Sequence, residues 1–255
     1  MHPKRVKQIL GQVVVDNNFG PKEYFNDKTC QILEYIESSP VGPEDILDQD
    51  IRLLSLFPLV EFQKMKITDE QKAELNPDKC WLSLILEEGG TKKVLLEAKV
   101  TLLKEGEDLV PKDRIPKFLK IIESVENPQS RLNSILSKFN SRKDELIISH
   151  NDFWRMNILK DKKNPETYHL IDFDLSCYNA IGSDLANLMM VNATPFDLKE
   201  LKFKFEPENL PIEEEIKELI KGYLVLLSDQ ASEYKGKAFI QKLREGEFDS
   251  FVDKA

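Results

Sequence analysis

The sequence predicts an α+β protein, and three observations carry that prediction. Residues 22–36 contain two short β-rich runs separated by Asn26-Asp27-Lys28. From Glu44 onward apolar residues recur at helical spacing. Between Glu145 and Ile171 short apolar runs alternate with polar turn clusters, the pattern of a strand, a loop and a hairpin.

The first element, residues 4–15, reads as a helix on the spacing of Val6, Ile9, Leu10 and Val13, with Lys4, Arg5 and Lys7 on its solvated face. Asn17-Asn18-Phe19-Gly20-Pro21 stops it. Strands follow at 22–25 and 29–36. Ser38-Ser39-Pro40-Val41-Gly42-Pro43 reads as a linker, which places a hinge there and divides the chain into 1–39 and 40–255.

Glu44 to about Lys66 is a helix with Ile46, Leu47, Ile51, Leu53, Leu54, Leu56 and Phe57 on its apolar face, and Pro58 should kink or interrupt it. Thr68 and Gln71 have the spacing of a capping box for a short helix over 69–75, ended by Asn76-Pro77. Residues 81–87 and 94–100 fit either a hairpin through Gly89-Gly90 or two helices; their Leu, Lys, Glu and Ala content favours helices. Further helices are expected at 116–125 and 128–139. A strand at 145–149 leads into the loop at His150, and a hairpin joins 157–160 to 168–171. A helix opens at Ser183, and another runs over 212–227 with an acidic first turn that suits the helix dipole. After Ser228 the chain is polar and weakly periodic.

Composition narrows the class. The chain has 255 residues, 41% hydrophobic and 32% charged, as expected of a soluble globular protein with a substantial core. A net charge of -9 with no long basic run argues against nucleic-acid binding. Cys30, Cys80 and Cys177 are widely spaced without metal-ligand spacing, so they are expected to be buried thiols in a reducing compartment. No signal-like N-terminus and no run of about 18 to 20 apolar residues is present, so a cytoplasmic location without membrane insertion is expected.

The stretch 147–190 concentrates chemistry-bearing residues. Transferring a phosphoryl group to a hydroxyl requires a carboxylate to orient the hydroxyl and take its proton. It also requires oxygen ligands for a divalent cation. Asp152, in a loop after an apolar strand, is the candidate base, and Asn157 lies five residues on. Asp172, twenty residues after Asp152 and also behind an apolar strand, is the candidate main metal ligand. Taken singly, Asp152 and Asn157 would be ordinary turn residues. Their joint occurrence with Asp172, in the order of a kinase catalytic loop and metal loop, is not explained that way.

His150-Asn151-Asp152-x4-Asn157-Ile158-Leu159, Leu170-Ile171-Asp172-Phe173-Asp174 and Tyr178-Asn179-x2-Gly182-x-Asp184-Leu185-Ala186-Asn187 together resemble the choline/ethanolamine kinase family. That family is a branch of the aminoglycoside-phosphotransferase-like, protein-kinase-like superfamily. Phe19-Gly20-Pro21-Lys22-x-Tyr24 resembles the lead into the family's last N-lobe strands, and residues 31–37 the strand entering the interlobe hinge. The resemblance implies a protein-kinase-like fold with a mostly helical C-lobe and catalytic hairpins. It implies ATP-dependent phosphorylation of choline or ethanolamine, the first step of phosphatidylcholine or phosphatidylethanolamine synthesis. Asp152 would be the catalytic base, with Asn157 and Asp172 binding Mg2+. Backbone at Glu34, Tyr35, Ile36 and Glu37 would contact adenine. His150 would shape the loop and Asp184 would brace it by hydrogen bonds. ATP and an amino alcohol would be the partners, and a homodimer is left open.

The pattern departs from the family in three places. Only nineteen residues precede Gly20, too few for the strands that carry the phosphate-covering loop and its lysine, so the N-lobe is expected to be reduced to a helix and two strands. After Asn187 the chain runs Leu188-Met189-Met190-Val191-Asn192, without the family's acid and aromatics for the amino-alcohol cation; Phe196 is the nearest aromatic that could contribute. The family's tryptophan-rich C-terminal wall has no counterpart, since the only tryptophans are Trp81 and Trp154, the latter beside the base. A kinase for another small hydroxylated acceptor, or a kinase-like binding module without turnover, therefore stays open.

Overall fold

The computed structural model describes residues 4–26, 30–75, 116, 146–194, 196–197, 202–203 and 205–252. The expected helices at 81–87, 94–100 and 128–139, and all but the first residue of 116–125, lie outside these. So do the Asn76-Pro77 stop and Cys80.

Helix α1 (Lys4–Asp16) buries Leu10, Val13 and Val14. It ends where the Asn17 side chain donates to the Val13 carbonyl and, across to the next layer, to that of Lys66. Strands β1 (Glu23–Asn26) and β2 (Gln31–Leu33) form an antiparallel ribbon. Tyr24, Phe25, Ile32 and Leu33 on this ribbon are exposed, and so is Cys30 beside it, against the expectation of a buried thiol; no second layer covers the ribbon among the described residues.

The expected linker is in part a strand. Ser38–Pro40 forms β3, the edge of a three-stranded antiparallel sheet in the order β3-β5-β6. Strand β4 (Leu146–Ser149) lies outside this sheet, whose other members are β5 (Ile158–Asp161) and β6 (Tyr168–Leu170). Ser38 pairs with Asp161 and Pro40 with Leu159. A proline lacks the N–H for a central strand but is tolerated at an edge. Strand β7 (Cys177–Ala180) pairs antiparallel with β4, Ser149 opposite Cys177.

Helix α2 (Gln49–Gln63) is the core of the molecule, with Leu53, Leu54, Leu56, Leu59, Val60 and Phe62 all buried. The predicted helix over 44–66 does break, but not at Pro58. A single 3-10 turn at Asp45–Leu47 precedes Asp48, whose carboxylate accepts from the Asp50 N–H at 2.8 Å and starts α2. Pro58 sits inside α2, and the helix continues past it. A helix-interior proline costs about 3 kcal/mol. Full burial of Leu59 and Phe62 beyond it, at about 1.5–3 kcal/mol each, offsets that cost.

Helix α3 (Asp69–Leu75) opens with the expected box: the Gln71 N–H donates to Thr68 Oγ1, and the Thr68 N–H to Gln71 Oε1. Helix α4 (Ser183–Asn192) follows β7, and a short ribbon joins β8 (Phe196–Asp197) to β9 (Lys202–Phe203). Helix α5 (Glu213–Leu227) packs on α2 and buries Leu219, Tyr223 and Val225. Beyond it the weakly periodic tail folds into α6 (Gly236–Arg244) and α7 (Asp249–Val252), which sequence periodicity did not predict. Phe239, Ile240 and Leu243 bury one face of α6 against α2 and α5. Arg244 ties α6 to both, pairing with Glu218 at 2.7 Å and Asp50 at 2.6 Å. Among the described residues no helix is long and apolar enough to cross a membrane.

Candidate active site

Three segments bring the candidate residues together: the loop after β4, the 3-10 turn Arg155–Asn157 that starts β5, and the turn after β6. The Asn157 side-chain amide donates to the Asp152 carboxylate at 2.8 Å and to the Asp152 carbonyl at 2.9 Å. The Ile171 N–H donates to the Asn157 carbonyl at 3.1 Å, which ties the turn to the residue before Asp172. Asp152, Asn157 and Asp172 thus gather around the start of β5 and the end of β6.

The electrostatics suit a proton acceptor. Partial burial pushes the Asp152 pKa up; the hydrogen bond from Asn157 opposes the rise, and the Asp172 charge adds to it. Asp172 is exposed, with a left-handed backbone at φ 65°, ψ 71°. A non-glycine residue there is held by its surroundings at a cost of order 1–3 kcal/mol. Here the restraint is the neighbouring Phe173, whose ring stacks on Phe62 with centroids 5.2 Å apart.

His150 is fully buried among these rings, edge-on to Phe62 at 5.9 Å and to Phe173 at 5.5 Å. Burial drives its pKa down to about 4, so the imidazole is neutral. Its partners fix the tautomer. Nε2–H donates to the Ile171 carbonyl at 2.9 Å, and Nδ1 accepts from the Asp152 N–H at 3.3 Å. His150 therefore ties the loop carrying Asp152 to the segment carrying Asp172, the shaping role expected of it.

Asp184, at the start of α4, supports the loop from below. Its Oδ2 accepts from the His150 N–H at 2.9 Å and its Oδ1 from the Asn151 N–H at 2.8 Å. Burial pushes its pKa up to about 6 against these bonds. Asn151 takes a left-handed conformation at φ 62°. Its amide donates to the Leu175 carbonyl at 3.1 Å, and its Oδ1 accepts from Asn179 at 2.7 Å. Tyr178 and Asn179 are strand residues paired with β4, and it is Asn179 that delivers the bond to Asn151.

Two partners escaped the sequence reading. Gln63, the last residue of α2, donates to Asp184 Oδ2 at 3.1 Å, and Tyr223 of α5 donates to Gln63 Oε1 at 2.7 Å. The available signal was a glutamine directly after Phe62, at the end of a helix in which most residues are apolar.

The segment Glu34, Tyr35, Ile36 and Glu37 lies between β2 and β3, leading into the strand beside β5. Part of its backbone is already engaged: the Glu34 N–H donates to the Lys22 carbonyl, and the Glu37 carbonyl accepts from the Lys162 N–H. Tyr35 is 81% exposed. Trp154 is half-buried, with the Arg155 guanidinium 5.9 Å from its ring centre. Among the described residues no three His, Cys, Asp or Glu side chains cluster as a self-sufficient metal cage. One or two carboxylates with waters and phosphates is the arrangement Mg2+ commonly takes.

The Asp152 loop after one strand, a hairpin, and the Asp172 loop after it, set beside a buried helix, are the arrangement of the protein-kinase-like fold. The sequence model described as choline/ethanolamine kinase matches residues 5–251, and the chain belongs to that family. It is 21% identical over 222 residues to a human choline/ethanolamine kinase and 20% identical over 222 residues to the mouse protein. Each match covers 86% of this chain and 51% of the relative, so the chain spans about half the length of these relatives. Among solved structures, Plasmodium vivax ethanolamine kinase superposes with a TM-score of 0.58 at 17% identity, over 86% of this chain and 57% of the other. Choline kinase from Cryptosporidium parvum Iowa II gives 0.56 at 17% identity, over 89% and 63%. These likenesses establish the protein-kinase-like fold.

Proposed function

We propose that the chain carries the transfer centre of an ATP-dependent phosphotransferase acting on the hydroxyl of a small amino alcohol, choline or ethanolamine, at the first step of phosphatidylcholine or phosphatidylethanolamine synthesis. The observation that carries the reading is the hydrogen-bonded set of Asp152, Asn157 and the segment leading to Asp172. In this reading the acceptor hydroxyl hydrogen-bonds to Asp152. As the hydroxyl oxygen bonds to the γ-phosphorus, the bond from that phosphorus to the bridging oxygen breaks, ADP leaves, and the proton passes to Asp152. The raised pKa of Asp152 favours taking that proton.

The donor set fits Mg2+. Asp172 offers an exposed carboxylate. The Asn157 amide nitrogen is committed to Asp152, which leaves its Oδ1 as the ligating atom. A cation held there would neutralise charge on the phosphate oxygens. We read 1–39 as the N-lobe remnant and hinge, with the backbone of 34–37 toward adenine, and 40–255 as the C-lobe. A cytoplasmic setting suits the substrates.

The test is metal-dependent nucleotide binding together with a phosphorylation assay over a panel of amino alcohols. Asp172→Ala is expected to abolish metal-dependent ATP binding, whereas Asp152→Ala spares binding and removes turnover. Equal metal and nucleotide affinity in wild type and Asp172→Ala would sink the metal assignment. Turnover no greater than that of Asp152→Ala would favour a kinase-like binding module.

A further inference from the structure

The loop that presents Asp152 is not held by its own residues alone. A directed chain of hydrogen bonds reaches it from the far side of the core. The Tyr223 hydroxyl on α5 donates to Gln63 Oε1 at 2.7 Å. The Gln63 amide nitrogen, at the end of α2, donates to Asp184 Oδ2 at 3.1 Å. Asp184 then takes the two successive backbone N–H groups of His150 and Asn151. Most of the chain is shielded from water: Tyr223 is 2% exposed, Gln63 8%, Asp184 1% and His150 0%, and only Asn151 at its end is half-buried.

The direction of the chain matters. A glutamine amide is nearly symmetric in shape but not in bonding, since one end only donates and the other only accepts. An ionised carboxylate needs a donor facing it, and Gln63 supplies one only with its NH2 toward Asp184. The Tyr223 hydroxyl, donating to Oε1, satisfies the end left pointing away. Reversing the amide would set two acceptors against each other in a buried space, where an unmet polar group costs about 1–3 kcal/mol. Bonds aligned head to tail also polarise one another. The two helices are locked where the chain crosses between them: Lys64, the next residue after Gln63, donates to the Leu226 carbonyl at 2.6 Å and pairs with Asp229 at 2.5 Å.

We propose that Gln63 and Tyr223 are positioning residues for the proposed transfer reaction. They hold the Asp184 carboxylate in register and, through it, the His150–Asn151 backbone that sets the direction of Asp152. Neither touches substrate. This rests on the assignment of Asp152 as the base, but the relay itself has a readout that needs no turnover.

Two variants test it: Tyr223→Phe, which deletes a single oxygen, and Gln63→Met, which keeps length and bulk. Amide hydrogen exchange is followed at His150 and Asn151, with Ile148 in β4 as the internal reference. The expected result is at least a ten-fold loss of protection at His150 and Asn151 with Ile148 changed less than two-fold. In the phosphorylation assay kcat is expected to fall at least ten-fold with the KM for ATP unchanged. Equal loss of protection at all three amides, or none, would show that the pair only satisfies polar groups in the core, and overturns the proposal. A wild type without turnover would sink the phosphotransferase reading and leave the relay to stand or fall on exchange. Should either variant fail to fold, the wild type decides: the Gln63 side-chain NH2 is expected to exchange as slowly as the His150 N–H, and rapid exchange overturns the relay.

Discussion

Replacing Asp184 with asparagine sets two large and opposed effects against each other. Burial of the carboxylate disfavours its charge, while the N–H groups of His150, Asn151 and Gln63 favour it. In the folded chain burial wins, and the pKa rises from 3.8 to about 6. At about 1.4 kcal/mol per unit, this shift corresponds to about 3 kcal/mol. The sign follows from proton uptake. Between about pH 4 and 6 the folded state binds more protons at this site than the unfolded state. The stabilising contribution is therefore full below the unfolded pKa and is lost as pH rises through the folded one. His150 works the other way. Its folded pKa of about 4 lies below 6.5, so its contribution is present above 6.5 and lost as pH falls through 4. In wild type the two slopes oppose each other and largely cancel between pH 4 and 6. Urea unfolding of wild type and Asp184→Asn at half-unit pH steps separates them. Wild-type stability minus that of the variant is expected to fall by about 2–3 kcal/mol from pH 4 to pH 7. A flat difference curve, or one rising with pH, would mean that the three donors match or outweigh burial at Asp184.

Other perturbations have simpler signs. Phe62→Ala removes a fully buried ring that stacks on Phe173 and packs against His150; it should cost about 3–5 kcal/mol in denaturant unfolding. Gly20→Ala places a Cβ on a backbone at φ +73° and 3.2 Å from the Phe173 ring. A loss of roughly 1–2 kcal/mol is expected, with shifted Phe173 ring resonances in NMR spectra. Thr68→Ala removes one half of the α3 capping box and should lower stability by about 0.5–2 kcal/mol, with the exchange of the Gln71 amide rising.

What could be read from the sequence was what is local in it. Asp152, Asn157 and Asp172 lie within 21 residues, and the turns between them are short, so spacing carries their proximity. The capping box of α3 and the acidic start of α5 are local for the same reason. The Gln63 bonds were not readable, because Asp184 lies 121 residues away and Tyr223 lies 160 away. Strand β3 was hidden because Ser38-Ser39-Pro40 has linker composition; its pairing with β5 decides its conformation, and no periodicity within three residues records that. Pro58 misled for the opposite reason, as a strong local signal overridden by burial. Helix α6 was missed because only Phe239, Ile240 and Leu243 face the core among charged neighbours, too short a pattern to stand out.

The locked ring of His150 has one more consequence, which concerns which ions the proposed site can attract. Both imidazole nitrogens are spoken for, Nε2 by the Ile171 carbonyl and Nδ1 by the Asp152 N–H. Coordinating an ion through either would break a buried bond that joins the two acidic loops. His150, beside the proposed centre, is therefore withdrawn from competition, and the donors left at Asn157 and Asp172 are oxygens. Copper, nickel and zinc gain much of their advantage from imidazole and thiolate. An all-oxygen pair denies them that advantage and leaves the field to hard, abundant cations.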